Sequence, residues 1–206
     1  MTRRRLAIPF LVLTLTLISG MLVRAGAPAA PAAPGAPAAP AAPGAPPSAA
    51  DSIARGKYLV AFGGCNDCHT PWKLGPKGPE PDMTRALSGH PAGLAMPPAP
   101  SVPPGPWGWT GAATMTAFAG PWGVSFTANL TPDKETGLDD WTEEMFIATM
   151  KTGRHEGKGR PLLPPMPYFN LASLSDDDIK AVFAYLRSLP PVHNRVPQPI
   201  DPPEAQ

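Results

Sequence analysis

Apolar positions recur at helical spacing in three stretches of this 206-residue chain. The clearest runs from Ser175 to the proline pair at 190–191, with apolar side chains at i, i+3, i+4 and i+7. These side chains are Ile179, Val182, Phe183 and Leu186. Ser175 and Asp178 resemble a capping box with Asp in place of the usual Glu or Gln. The pattern predicts an amphipathic helix that begins at Ser175.

Two further helices are predicted. The first covers residues 52–62 and ends at the glycine pair 63–64. The second covers residues 141–151, with Asp139 or Asp140 as its N-cap and Gly153 as its stop.

The first 50 residues have a different composition from the rest. Arginines at 3–5 precede an apolar run at 6–23, and residues 23–25 fit the small-x-small pattern of a cleavage site. Residues 1–25 are therefore predicted to be a signal peptide, or an uncleaved anchor that tethers the chain to a membrane through residues 6–23. Residues 26–50, almost entirely Ala, Pro and Gly, are predicted to be a disordered linker.

The remainder has the size of one domain, predicted at 51–197 and followed by a tail at 198–206. Four of the 17 basic side chains lie in the first 25 residues, which leaves 13 against 16 acidic ones, a net charge of −3. This balance argues against nucleic acid as a partner and makes a strongly basic docking face unexpected.

A Cys-x-x-Cys-His motif at 65–69 gives the strongest chemical indication. It is the attachment site of a c-type haem, in which both thiols form thioethers and the histidine binds the iron. A zinc site would need further Cys or His ligands, and the chain has no third cysteine. A redox pair or a plain disulfide is the other alternative. We predict one covalent haem c held by Cys65, Cys68 and His69.

The order of these features resembles the class I c-type cytochromes, which are all-α haem domains. The runs at 129–133, 152–155 and 163–168 are similar to the cytochrome domains of bacterial membrane dehydrogenases for alcohols and sugar acids. The resemblance implies an all-α class I cytochrome c fold in which the first and last helices cross at Gly56, against an aromatic side chain such as Tyr185. It also implies that a backbone carbonyl in residues 75–81, for example that of Pro76, accepts the other ring N–H of His69.

The resemblance implies Met166 as the second axial ligand of the iron. Met166 lies between two prolines that restrict its loop, and Met96 is the rival among the other methionines. A second histidine ligand, His90, His155 or His193, is the alternative that would lower the reduction potential.

Residues 90–126 are rich in Pro, Gly and Trp and are predicted to form a long loop insertion. Its tryptophans either attach the insertion to the domain and exclude water from the haem, or shape a docking surface for a redox partner.

These observations predict an electron carrier rather than an enzyme. It would be exported to the periplasm and would exchange electrons with redox proteins, a dehydrogenase as donor and an oxidase or another cytochrome as acceptor. A fixed cytochrome subunit of a dehydrogenase or oxidase complex is the alternative. A haem enzyme or gas-binding protein with an open distal site, in which Arg154 and His155 act, is a third interpretation.

Overall fold

The computed structural model of the chain describes residues 47–102 and 105–202. The predicted export segment at 1–25 lies outside the described residues, and so does most of the predicted linker. No helix in the described part of the chain is long and apolar enough to cross a membrane.

Five α-helices and two single 3₁₀ turns carry the regular structure. The α-helices are α1 (Ala49–Phe62), α2 (Cys65–His69), α3 (Glu143–Thr152), α4 (Tyr168–Ala172) and α5 (Asp176–Arg187), and the 3₁₀ turns are Met83–Arg85 and His155–Gly157.

Helix α1 begins three residues earlier than the sequence pattern predicts. Ser48 and Asp51 form a capping box: the Ser48 hydroxyl accepts from the Asp51 amide at 3.2 Å, and the Asp51 carboxylate accepts from the Ser48 amide at 3.3 Å. This reciprocal pair satisfies two amides that the first turn leaves free. The last two residues of the predicted linker are therefore helical.

Helix α3 ends as predicted at Gly153, which has a positive φ of 65°. Its N-cap is Thr142, whose hydroxyl accepts from the Met145 amide at 3.2 Å, so the prediction of Asp139 or Asp140 as the cap was wrong. Asp139 pairs instead with Arg187 at 3.0 Å.

Helix α5 agrees with its pattern. Ser175 caps it, and all four predicted apolar side chains are buried. Only half of a capping box forms, because Asp178 directs its carboxylate to Arg55 of α1, with 2.8 Å between Oδ1 and Nε.

Helices α1 and α5 cross at Gly56. A Cβ at Gly56 would collide with the backbone of Ala181 and would lie 2.8 Å from Cβ of Tyr185. The crossing therefore requires glycine, as the resemblance implied. The main hydrophobic core lies between α1, α3 and α5 and includes Val60, Phe146, Ile179 and Leu186.

Five short strands, which the apolar pattern did not predict, accompany the helices: β1 (Trp72–Gly75), β2 (Gly78–Pro81), β3 (Thr110–Gly111), β4 (Ala117–Gly120) and β5 (Gly123–Phe126). Strands β1 and β2 form one antiparallel hairpin. Strands β3, β4 and β5 form a second antiparallel sheet in that order, with Ala117 opposite Phe126. The segment predicted as a loop insertion thus contains a small sheet.

The aromatic side chains of that segment differ in exposure. Phe118 is buried in β4, and Trp109 meets it edge-on with 5.5 Å between ring centroids. Trp107 is 82% exposed. Phe118 therefore anchors the sheet, and Trp107 does not.

Candidate haem site

The Cys-x-x-Cys-His motif forms a helix of its own, α2, directly after α1. Gly64 separates the two helices with a positive φ of 66°, a conformation that favours glycine. In one helical turn, residues at i, i+3 and i+4 share a face. Helix α2 therefore brings Cys65, Cys68 and His69 together.

The two thiols are free and half-buried. Burial raises the pKa of Cys65 to about 11. Burial, and then the charge of Asp67, also raises the pKa of Cys68. No group of three or more His, Cys, Asp or Glu side chains that could hold a metal ion occurs within the described ranges. The thiols are thus placed as protonated, unpaired groups available for covalent attachment.

His69 is buried and makes one side-chain hydrogen bond. Its Nδ1 donates to the carbonyl of Ala128 at 2.8 Å, because a carbonyl can only accept. Burial lowers the pKa of His69, and the bond to Ala128 opposes that shift. The neutral ring therefore carries its proton on Nδ1 and leaves the lone pair of Nε2 for a metal.

The predicted acceptor for His69 was wrong. Pro76 lies in the turn of the β1–β2 hairpin, where Gly75 pairs with Gly78. Ala128 follows β5 and supplies the carbonyl instead. A backbone acceptor has no side-chain signature, so nothing in the composition distinguishes residue 128 as the partner.

Met166 is half-buried in the loop between α3 and α4. It packs against the same hydrophobic core as Cys65. Its amide donates to Leu163 at 3.2 Å, and its carbonyl accepts from Tyr168 at 3.0 Å. Two residues earlier, the Pro164 carbonyl accepts from the Ser125 hydroxyl at 2.6 Å. Ser125 is a contact of this loop that the sequence analysis missed.

The other methionines occupy different surroundings. Met96 is 38% exposed in irregular backbone, and Met83 is 62% exposed. Met150 is buried on α3 as part of the core.

The alternative histidines have their own partners. The buried His90 ring contacts Thr116 through Nδ1 at 3.0 Å and packs on Phe126. His155 meets Trp141 edge-on, and the exposed His193 lies 3.4 Å from the Asp133 carboxylate.

The residues of the site fit haem. Two free thiols and a histidine with an available Nε2 share one helical turn. Nε1 of Trp72, three residues after His69, is buried with no hydrogen-bond partner in the described part of the chain. Buried donors are normally paired. The propionates of a haem are acceptors of the kind that this donor lacks.

Comparison with known proteins agrees with this donor set. The family model for cytochrome c matches residues 53–190, which is more than half of the chain. The chain belongs to the cytochrome c family. The predicted class I cytochrome c fold and the predicted covalent haem c are confirmed. As a cytochrome c domain, the chain is an electron carrier.

Curated relatives include cytochrome subunits of dehydrogenases. The chain is 30% identical over 152 residues to a subunit of the nicotinate dehydrogenase of Pseudomonas putida, covering 72% of this chain and 10% of that protein. It is 31% identical over 133 residues to the gluconate 2-dehydrogenase cytochrome c subunit of Pantoea cypripedii, covering 65% and 22%. It is 29% identical over 133 residues to the cytochrome c subunit of the quinone alcohol dehydrogenase of Gluconobacter oxydans, covering 65% and 20%. The chain thus matches only about a tenth to a fifth of each relative.

Proposed function

We propose that this chain is a monohaem electron carrier with histidine and methionine as axial ligands. Cys65 and Cys68 hold the haem by thioethers, and His69 and Met166 bind the iron. The observation that carries the proposal is the Nδ1 bond from His69 to Ala128, because it presents Nε2 as the ligand atom. The position of Met166 beside the same core as Cys65 supports the second ligand.

When bound, the haem supplies one iron that alternates between the ferrous and ferric states. The bond from His69 to Ala128 fixes the plane of the imidazole and strengthens it as a ligand. The prolines on either side of Met166 limit the freedom of its loop, which lowers the ordering cost of holding a weak thioether ligand. A filled sixth position excludes substrate from the metal, so electrons pass through the haem edge.

Optical spectra test the ligand pair. The oxidised protein is expected to show the weak sulfur-to-iron charge-transfer band in the red region, and Met166→Ala should abolish it. Met96→Ala is the matched control and should keep the band. Reduced wild type should not bind carbon monoxide, whereas reduced Met166→Ala should. A wild type without the band that binds carbon monoxide would overturn the proposal and favour an open distal site.

The partner is proposed to be a redox protein with an acidic face. Residues 154–160, here called the basic loop, hold Arg154, Lys158 and Arg160, all exposed and all without a carboxylate partner within the described residues. Other cations of the domain are paired, as Arg55 is with Asp178 and Arg187 with Asp139. An uncompensated positive patch on an otherwise acidic domain favours an anionic partner and orients its approach.

The basic loop is well ordered and close in sequence to Met166. The guanidinium of Arg154 donates to the Gly159 carbonyl at 2.9 Å, and the His155 amide donates to Arg160 at 3.0 Å. The Leu162 amide then donates to Gly153 at 2.8 Å as the chain enters the methionine loop. Its charges are therefore held in place beside the proposed ligand. The same contacts give Arg154 and His155 structural roles that do not require an open distal site.

Small redox reagents measure the effect of these charges directly. The double variant Arg154→Gln/Arg160→Gln should be oxidised more slowly by ferricyanide, an anion, and faster by tris(phenanthroline)cobalt(III), a cation. Lys57→Gln/Lys77→Gln, which removes two exposed cations elsewhere, is the control. Equal rates for the loop variant and wild type with both reagents would contradict a role of the loop in electron exchange.

A fixed subunit of a dehydrogenase complex is the second candidate, and the dehydrogenase subunits among the relatives favour it. Export through residues 1–25, with a tether at 6–23 or a cut after residue 25, belongs to both candidates. Fractionation of cells and the mass of the purified chain distinguish a tethered from a cleaved form. Co-purification with a flavin or quinone dehydrogenase distinguishes a subunit from a free carrier.

A further inference from the structure

One short stretch of chain contacts both the proximal histidine and the methionine loop. The Ser125 hydroxyl donates to the Pro164 carbonyl at 2.6 Å. Three residues later, the Ala128 carbonyl accepts from Nδ1 of His69 at 2.8 Å. We call residues 125–128 the ligand brace.

The ligand brace is firmly held on both sides. Strand β5 pairs with β4, and Val124 exchanges two hydrogen bonds with Ile200, at 2.8 and 2.9 Å. The Thr127 amide donates to Thr116, and the Thr127 carbonyl accepts from His90, each at 3.0 Å. Most backbone groups around Ser125 are thus already paired, so its hydroxyl is presented from a fixed position.

The methionine loop has few hydrogen bonds of its own. Prolines at 164, 165 and 167 have no amide N–H, so three of the five residues at 163–167 cannot donate. Between residues 163–167 and the sheet of β3, β4 and β5, the Ser125 bond is the one hydrogen bond that the described residues make. The Ser125 side chain is only 8% exposed, so water does not readily replace Pro164 as its partner.

We propose that Ser125 is a positioning residue that holds the methionine loop closed over the haem. It acts through Pro164 and does not itself touch the iron. The proposal rests on the ligation of Met166 proposed above. It also gives the segment predicted as an insertion a role in electron transfer, because one rigid strand then sets the positions of both axial ligands.

Imidazole binding to the ferric protein reports opening of this loop, because imidazole must displace the methionine. Loss of one net hydrogen bond should raise the population of the open loop about fivefold. Ser125→Ala is therefore expected to bind imidazole about fivefold faster than wild type and to show a weaker sulfur-to-iron band. Ser188→Ala is the matched control: its hydroxyl also donates to a carbonyl, that of Tyr185 at 2.7 Å, but lies at the end of α5.

The outcomes separate the explanations. A fivefold faster rate in Ser125→Ala alone supports the positioning role. A lower unfolding midpoint with an unchanged imidazole rate and band would mean that Ser125 is only structural, and would overturn the inference while Met166 remains the ligand. A wild type that lacks the band and binds imidazole as fast as Met166→Ala would overturn the ligation of Met166, and the role of Ser125 with it.

Discussion

The helical framework of α1, α3 and α5 and the irregular segment at 82–136 are stabilised in different ways. The framework shares one apolar cluster in which Phe146 stacks on Phe183 with ring centroids 5.1 Å apart. The irregular segment buries polar side chains instead, among them His90, Thr116 and Asn129. Apolar packing is spread over many weak contacts, whereas a buried polar network depends on each individual bond. Single substitutions should therefore act more locally and more sharply in the irregular segment.

Asn194 should show the largest effect, because one side chain holds three backbone groups of the irregular segment. Its Nδ2 donates to Ser88 at 2.7 Å and to His90 at 2.8 Å, and its Oδ1 accepts from the Ala92 amide at 2.9 Å. Asn194→Ala leaves these groups without their partner and is expected to lower the free energy of unfolding by about 3 kcal/mol. Urea unfolding measures this loss.

Hydrogen exchange shows whether the loss is local. The Ala92 amide should lose protection well before amides of α5. Asn170→Ala, at an exposed position on α4, should change the free energy of unfolding by less than about 0.5 kcal/mol. Uniform loss of protection in α5 and at Ala92 would show that the two regions unfold as one unit and would remove the contrast.

Gly56 tests the framework at its closest contact. A methyl group there would collide with the Ala181 backbone, which has no flexible side chain that can yield. Gly56→Ala is expected to destabilise the protein by about 2 kcal/mol, although alanine favours helix more than glycine does. The loss should appear as a lower denaturant midpoint reported equally by helix and haem signals.

The comparison for Gly56 is Gly93→Ala, where an added methyl group would meet nothing within 4 Å. Its midpoint should stay that of wild type. If Gly56→Ala were also neutral, the helices would have room to separate, and the crossing would not depend on glycine.

The sequence predicted these two regions unequally. Helix α5 was predictable in full because four apolar side chains at helical spacing and a serine cap all indicate the same element. The start of α1 was missed because Ser48 follows a proline-rich run, which concealed a valid capping box. Strands of two to four residues with glycine at their ends, such as β4 and β5, give too little alternation to predict.

The site shows the same division. A local motif predicted Cys65, Cys68 and His69 because all its members are neighbours along the chain. The contacts of His69 with Ala128 and of Pro164 with Ser125 join residues 59 and 39 positions apart. They involve backbone carbonyls, which every residue has. Only the fold reveals which carbonyl is near.

The smallest expected effect concerns the ion pair at the edge of the framework. Hydrogen bonding from Arg55 is the main reason that the pKa of Asp178 lies below its ordinary value. A depressed pKa in the folded state stabilises the protein above the ordinary pKa of aspartate, about 4, and this contribution disappears as the pH falls through the depressed value. Because half of the Arg55 side chain is exposed, Arg55→Gln should cost only about 0.5 kcal/mol at pH 7. Urea unfolding from pH 7 to pH 2 should show the difference from wild type vanishing below about pH 4, whereas Lys57→Gln, on the same helix without an ion pair, should show no such difference. A constant difference across this range would mean that Arg55 stabilises the crossing by packing on Tyr58, whose ring centre lies 5.6 Å from its guanidinium carbon, and not by charge.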